Sequence, residues 1–294
     1  MRGVLLQVVV GGLLTGSIYG LVALSLSIVF GVLKIINFAH GALLMVALYG
    51  AFFFWKITGI HPYAGSLVLL PVLYFLGYGI QNFLIRKVFV REMAREPIGV
   101  LLLTMGLMYV LENMALFFFG PDFFVIDTSF LSGNLVMGGL IIPVPKAVGF
   151  LVGVAVTVVV IALLKWTDIG RAIRATGQDR EVARLMGIDT FKVYNIVFAG
   201  GTAALGVAGI VLSTFFYIFP SVGQSFGMRA FVVVVLGGIG SPLGAFLGGI
   251  LIGLVEAISS QVVTTAATEA VVFLMFVAVL FLKPSGLFGV AGER

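Results

Sequence analysis

The sequence predicts an all-α integral membrane protein, and three observations carry that prediction. Of its 294 residues, 61% are hydrophobic and only 10% are charged. Mean hydropathy is +1.22. Apolar runs recur along the whole chain, each near the roughly 20 residues needed to cross about 30 Å of hydrocarbon. Too little polar sequence remains to coat a water-soluble protein of this size. Backbone polar groups inside lipid must be bonded within their own segment, so runs this apolar are forced into helix. A transmembrane barrel would show short alternating strands, and the sequence has none.

Eight apolar segments follow in order, at about 4–33, 38–57, 63–85, 98–119, 147–164, 193–218, 228–261 and 268–282, within a single domain spanning 1–294. The first follows Arg2 and has the apolar character of a signal peptide. It runs on to Leu33 without a convincing small-residue cleavage site, so it is expected to be a retained helix. The seventh is too long for one simple span. It contains LGGIGSPLGAFLGG, in which Gly237, Gly238, Gly240 and Pro242 lie close together. Proline removes a backbone donor and glycine frees the chain, so a helix break is expected there, with a re-entrant segment as one form of it. The competing reading is that these glycines only let helices pack closely.

Basic residues set the expected orientation. Arg86, Lys87, Arg91 and Arg95 crowd the connection between the third and fourth segments, and Arg171, Arg174, Arg180, Arg184 and Lys192 crowd that between the fifth and sixth. The connection 120–145 holds Asp122 and Asp127 but no Lys or Arg. Positive loops stay cytoplasmic, so the pattern reads cytoplasm, outside, cytoplasm. Counting back puts Lys34 inside and the N-terminus outside, although Arg2 argues the other way.

The stretch GRAIRATGQDREVARLMGID at 170–189 is the least membrane-like part of the chain. With its flanks it carries Asp168, Arg171, Arg174, Asp179, Arg180, Glu181, Arg184, Asp189 and Lys192. From Asp179 it reads as a short helix, with Val182, Leu185 and Met186 on one face. Asp179 stands where an N-cap is favoured and Gly187 where a helix ends. A second helical turn is expected around 170–176. Three uses are open: a docking helix for a partner protein, a solvated loop, or a helix lying on anionic lipid. A loop needs no apolar stripe, and a lipid-bound helix would prefer a basic face without Asp179 and Glu181. An apolar ridge rimmed by charge fits docking best.

Several function classes are excluded. There is no G-x-x-x-x-G-K-[ST] phosphate loop, so no ATP site of that kind. With no cysteine there is neither a disulfide framework nor a thiolate metal site, and two histidines, His40 and His61, cannot alone build a metal centre. No arrangement looks catalytic, so the chain is not expected to be an enzyme. Polar residues inside the spans should face a cavity, a partner or one another. Candidates to line a pathway are Asn37, His40, Glu112, Asn113 and Glu256. Against this, His40 can be a helix-start hydrogen-bonder, the acids can be buried neutral, and intramembrane Ser and Thr commonly bond back to a carbonyl.

The segment at 170–189 closely resembles the coupling segment of permeases from branched-chain amino-acid ABC importers. NFAHGALLMVALYGAF at 37–52 resembles a second signature of that family, and GGIGSPLGAFLGG at 237–249 and KPSGLFG at 283–289 resemble two more. Their order and spacing match over essentially the whole chain, nearer the LivH-like than the LivM-like branch. Lys283 stands where the family usually has Arg. The resemblance implies an ABC importer permease fold in the bacterial inner membrane. It implies a LivM-like second permease, two cytoplasmic ATPases that bind ATP and Mg, and a periplasmic solute-binding protein. It makes 168–192 the coupling segment, with Gly170, Arg171, Arg174, Gln178, Asp179, Ala183, Met186 and Gly187 matching the motif. Leucine, isoleucine and valine are the expected solutes; urea, amides and other amino or carboxylic acids are alternatives within the same class. An ion-coupled secondary transporter, using Glu112 or Glu256 as its ion site, is the reading from another class, but the inverted repeat it would carry is not evident.

Overall fold

The computed structural model describes residues 2–91, 98–127, 133–137 and 139–289; Arg95, of the first basic connection, lies outside them. The elements are α1 (Arg2–Leu33), α2 (Ala39–Thr58), α3 (Pro62–Gly79), a π-type stretch (Ile80–Ile85), α4 (Arg86–Arg91) and α5 (Ile98–Phe119). Next come a small hairpin of β1 (Asn134–Met137) and β2 (Leu140–Pro143), then α6 (Val144–Trp166), α7 (Asp168–Gln178) and α8 (Arg180–Leu185). The chain continues through α9 (Thr190–Ser213), α10 (Val222–Gly237), α11 (Pro242–Ser259) and α12 (Thr265–Leu282). Among the described residues, seven helices are long and apolar enough to cross a membrane, and α10 and α12 are shorter apolar helices. This is an all-α, multi-pass membrane protein.

α1 is the central post. Leu21, Ala23 and Leu24 on it are fully buried, and α6, α9, α10 and α11 all pack around it. Its contact with α11 is made by glycines at every fourth position: Gly12, Gly16 and Gly20 on α1 face Gly249 and Gly253 on α11. A Cβ at Gly16 would stand 2.7 Å from the Gly249 carbonyl oxygen, and one at Gly20 2.5 Å from that of Phe246. Lipid tails are as apolar as leucine, so helices in a bilayer gain by such backbone-close packing rather than by expelling water.

The sixth and seventh apolar segments differ from the boundaries expected at 193–218 and 228–261. α9 ends at Ser213, and the Phe-rich stretch after it leaves the helix. Phe124 and Ile218 bond each other's backbone at 2.9 Å in both directions, and Pro220 prevents helix from resuming before Val222. The seventh segment is two antiparallel helices, α10 and α11, joined by residues 238–241, where Gly238 and Gly240 take positive φ of 106° and 78°. Pro242 opens α11, and Ser241 caps it by accepting from the Gly244 N–H at 3.1 Å. The chain after α12 returns to this turn, where the amides of Leu287 and Phe288 donate to the carbonyls of Leu236 and Gly237.

The two ends of the bundle are distinct. At one end lie the C-terminus of α1, the 238–241 turn, the 283–289 segment, α4, α7 and α8: Gly31 meets Gly240 and Gly177, and the Arg180 guanidinium lies 5.8 Å over the Phe89 ring. At the other end, Gln7 exchanges two hydrogen bonds with the Ile141 backbone, 2.7 and 2.9 Å, beside the 120–127 and 214–221 connections. The two basic connections therefore share one end, and the hairpin and the first turns of α1 share the other.

Candidate functional site

At the charged end, each helix terminus is fixed by a local device the sequence supplies. Thr167 caps α7, accepting from the Gly170 N–H at 2.9 Å while its own hydroxyl donates to the Leu163 carbonyl at 2.6 Å. Gly170 is required at this turn, because a Cβ there would run into the carbonyls that close α6. Asp168 and Arg171 pair on the exposed surface. Asp179 breaks α7 from α8 and caps the latter, accepting from Glu181 and Val182 N–H at 2.8 and 3.1 Å. Those two donors hold its carboxyl below the usual carboxylate range. α8 closes on Gly187, with φ 84°, and Asp189 caps α9 by accepting from the Lys192 N–H.

Between these caps the side chains divide. Ala183 and Thr176 are buried against the bundle, and Gly177 touches the Gly31 carbonyl and Val32 at the end of α1. Val182, Leu185 and Met186 point the other way, 55%, 86% and 78% exposed. A cleft of about 320 Å³ runs beneath the segment, lined by Val32, Leu33, Lys34, Gln178, Glu181 and Tyr194. A rigid, doubly capped element thus rests on the ends of α1 and α9 and carries an outward apolar ridge.

The second site lies inside the bundle. His40 Nε2 sits 3.1 Å from the Val22 carbonyl oxygen and 3.2 Å from Ser25 Oγ. Val22 is eleven residues from the end of α1, about 16 Å along a helix. α2 therefore starts deep within the membrane layer, and residues 34–38 climb back to reach it. Its exposed amide donors are met there: Asn37 Oδ1 accepts from Ala39 N–H at 3.1 Å, and Thr104 Oγ1 from Phe38 N–H at 3.3 Å. The first turn of α10 crosses the first turn of α2 so closely that Gly41 and Gly223 meet backbone to backbone. Beside this crossing Glu112, 9% exposed, accepts from Gln224 Nε2 at 2.8 Å, and its other carboxylate oxygen is buried with no hydrogen-bond partner among the described residues. Further along α10, Arg229 bridges Glu256 of α11 at 3.2 Å and Glu269 of α12 at 3.4 Å, and donates to the Tyr19 hydroxyl.

The family described as branched-chain amino acid transport system / permease component matches this chain over residues 8–280. The chain belongs to that family. It is 30% identical over 302 residues to the high-affinity branched-chain amino acid transport system permease protein LivH of Escherichia coli K12, covering 97% of this chain and 95% of LivH. It is 29% identical to the permease protein BraD of Pseudomonas aeruginosa, with the same coverage. A probable LivH of Methanocaldococcus jannaschii is 26% identical over 97% of this chain and 92% of its own length. No solved structure matches significantly.

In this permease the expected site residues do not gather in one place. Arg171, Arg174, Gln178, Asp179, Met186 and Gly187 are exposed on the charged end, whereas Gly170 and Ala183 are buried beneath them. Asn37, His40 and Glu112 cluster around the α2–α10 crossing; Asn37 and His40 are consumed by bonds that hold the start of α2. Asn113 does not join them: it is on the outer face of α5 and donates to the Tyr109 carbonyl at 2.8 Å. Glu256 stands apart, in the Arg229 cluster. Gly238 and Gly240 lie in the α10–α11 turn, with Gly237 ending α10 and Pro242 opening α11 on either side of it. Sequence reading missed Gln224, Arg229 and Glu269. Arg229 was legible, being the one basic residue between Lys192 and Lys283, and an arginine within apolar sequence marks a functional or paired position. It lay at the edge of a segment begun at residue 228, where an arginine passes for a flanking residue.

Proposed function

We propose that this chain is the transmembrane permease subunit of an ATP-driven importer of branched-chain amino acids in the bacterial inner membrane. It pairs with a LivM-like permease, receives solute from a periplasmic binding protein, and is driven by two cytoplasmic ATPases that bind the ATP and Mg. The chain itself carries out no hydrolysis. The observation that carries this reading is the ridge of Val182, Leu185 and Met186, held outward between the Asp179 and Asp189 side-chain caps on a segment anchored to α1 and α9. Large apolar side chains this exposed beside charged neighbours have the composition of a protein interface, apolar at its centre and polar at its rim. A helix rigidly seated on α1 and α9 transmits displacement, so closure of the ATPases against it would move those two helices and, through them, α10 packed on α1 and α2 packed on α9, which meet at Gly41 and Gly223. The segment 168–192 is thus the coupling segment, with Arg171, Arg174, Gln178 and Asp179 at its rim. The relatives' names support the choice of solute. Purifying the tagged, detergent-extracted chain from its native membrane tests the assembly: a second permease and two ATPases should accompany it, and a chain that purifies alone overturns the reading.

A further inference from the structure

α10, α11 and α12 enclose a groove of about 500 Å³, lined mainly by apolar side chains, into which Arg229, Glu256 and Glu269 converge. A second groove, of about 350 Å³, shares the same two carboxylates and is lined also by Thr15, Lys146 and Gln261. Its lining includes Val8 and Gly11, in the first turns of α1 beside the Gln7–Ile141 contact. Volumes of this order, apolar with a few convergent polar groups, are those of small-molecule sites.

We propose that Arg229, Glu256 and Glu269 bind the zwitterionic head of an α-amino acid, with its apolar side chain lying in the groove beside Met228, Val232, Ile252 and Phe273. This deepens the importer reading and rests on it. The chemistry follows from the charges. An arginine offers five donors in a planar fork suited to a carboxylate; here Glu256 and Glu269 take one contact each, at 3.2 and 3.4 Å, and the Tyr19 hydroxyl takes a third. Donors therefore remain for a substrate carboxylate. Glu269, 69% exposed, is the partner most easily turned to an ammonium group. A solute that is only an anion meets two negative side chains, and one that is only a cation meets a guanidinium. A molecule carrying both charges on one carbon satisfies the cluster. The apolar walls beyond it select what that carbon bears.

The chain contains no cysteine, so a single reporter can be placed in it. Ala270→Cys, or Val272→Cys as a second position, is introduced into the assembled transporter in nanodiscs. Its modification by a small thiol reagent is then timed from the mass of this subunit. Leucine at tens of millimolar should slow modification at least threefold. Leucinol, which lacks the carboxylate, and 4-methylpentanoate, which lacks the ammonium, should leave the rate unchanged at the same concentration. Arg229→Gln should remove the protection by leucine and Arg229→Lys should keep part of it. Because the three ligands are compared on one protein, a variant that fails to assemble does not decide the matter. Equal protection by leucinol, or none by leucine in a complex that still imports leucine with ATP, overturns the zwitterion site and leaves the importer reading standing. Absence of ATP-driven leucine uptake overturns the importer reading itself.

Discussion

Leu185 is 86% exposed and sits on the outward ridge of α8, so replacing it separates docking from folding. Leu185→Ala removes three carbons. At about 0.8 kcal/mol per buried CH₂, and with nearly all of the side chain available to a partner, the docked complex loses about 2 kcal/mol. With 1.4 kcal/mol per tenfold, that is roughly a 30-fold weaker Kd for the ATPase. The caps at Thr167 and Asp179 do not involve Leu185, and an exposed side chain changes the stability of its own chain by no more than about 0.5 kcal/mol. The assay is ATPase binding to the nanodisc-embedded permease pair by biolayer interferometry, beside a thermal melt of the same sample. The expected result is that roughly 30-fold loss of affinity at an unchanged melting temperature. A Kd within twofold of the unaltered protein refutes the claim that this ridge is the seat of the ATPase.

The α1–α11 glycine contact predicts a contrast between neighbours. Gly16→Val should destabilise the membrane domain by about 3 kcal/mol, since overpacking here pushes backbone against backbone, whereas Gly11→Val, with nothing within 4 Å of the added carbon, should melt as the parent does. Equal melting of the two variants in detergent contradicts the packing. Asp179→Ala should speed hydrogen exchange at the Glu181 and Val182 amides, and Asp179→Asn, which keeps an acceptor, should not. Because the folded carboxyl lies below its ordinary value of about 3.8, its capping contribution is complete above that pH and fades as pH falls from there through the lowered value. Protection corrected for intrinsic exchange should therefore be flat from pH 7 to 5, and a loss by pH 6 would contradict the cap. Single cysteines at Gln178 and Pro121 should be modified from opposite sides of the membrane by an impermeant reagent; modification from one side would overturn the arrangement of the two ends.

Much of this architecture is legible from composition because the bilayer leaves few choices. Hydrocarbon turns each apolar run into a helix, and the charged window at 168–192 stands out because it lies between two long apolar spans. Asp179 and Gly187 could be assigned as cap and stop because both act through their own backbone. The grouping of the polar residues inside the bundle was less legible, since it depends on which helices meet. Nothing local reveals that Gln224, in the first turn of α10, reaches Glu112 more than a hundred residues earlier. The same holds for the grouping of Arg229, Glu256, Glu269 and Tyr19, contributed by four helices. Segment ends were displaced for a physical reason as well: the stretch after Ser213 is apolar enough to read as span, yet it pairs with Phe124 instead of continuing the helix.

The most direct test of the central claim is leucine uptake into proteoliposomes holding the purified permease pair, its ATPases and the loaded binding protein. Uptake that requires ATP hydrolysis, and that falls away when Leu185→Asp places a charge on the α8 ridge while the permease pair stays assembled, is what a coupled importer predicts. Uptake that proceeds without ATP, or that is untouched by Leu185→Asp, would contradict it.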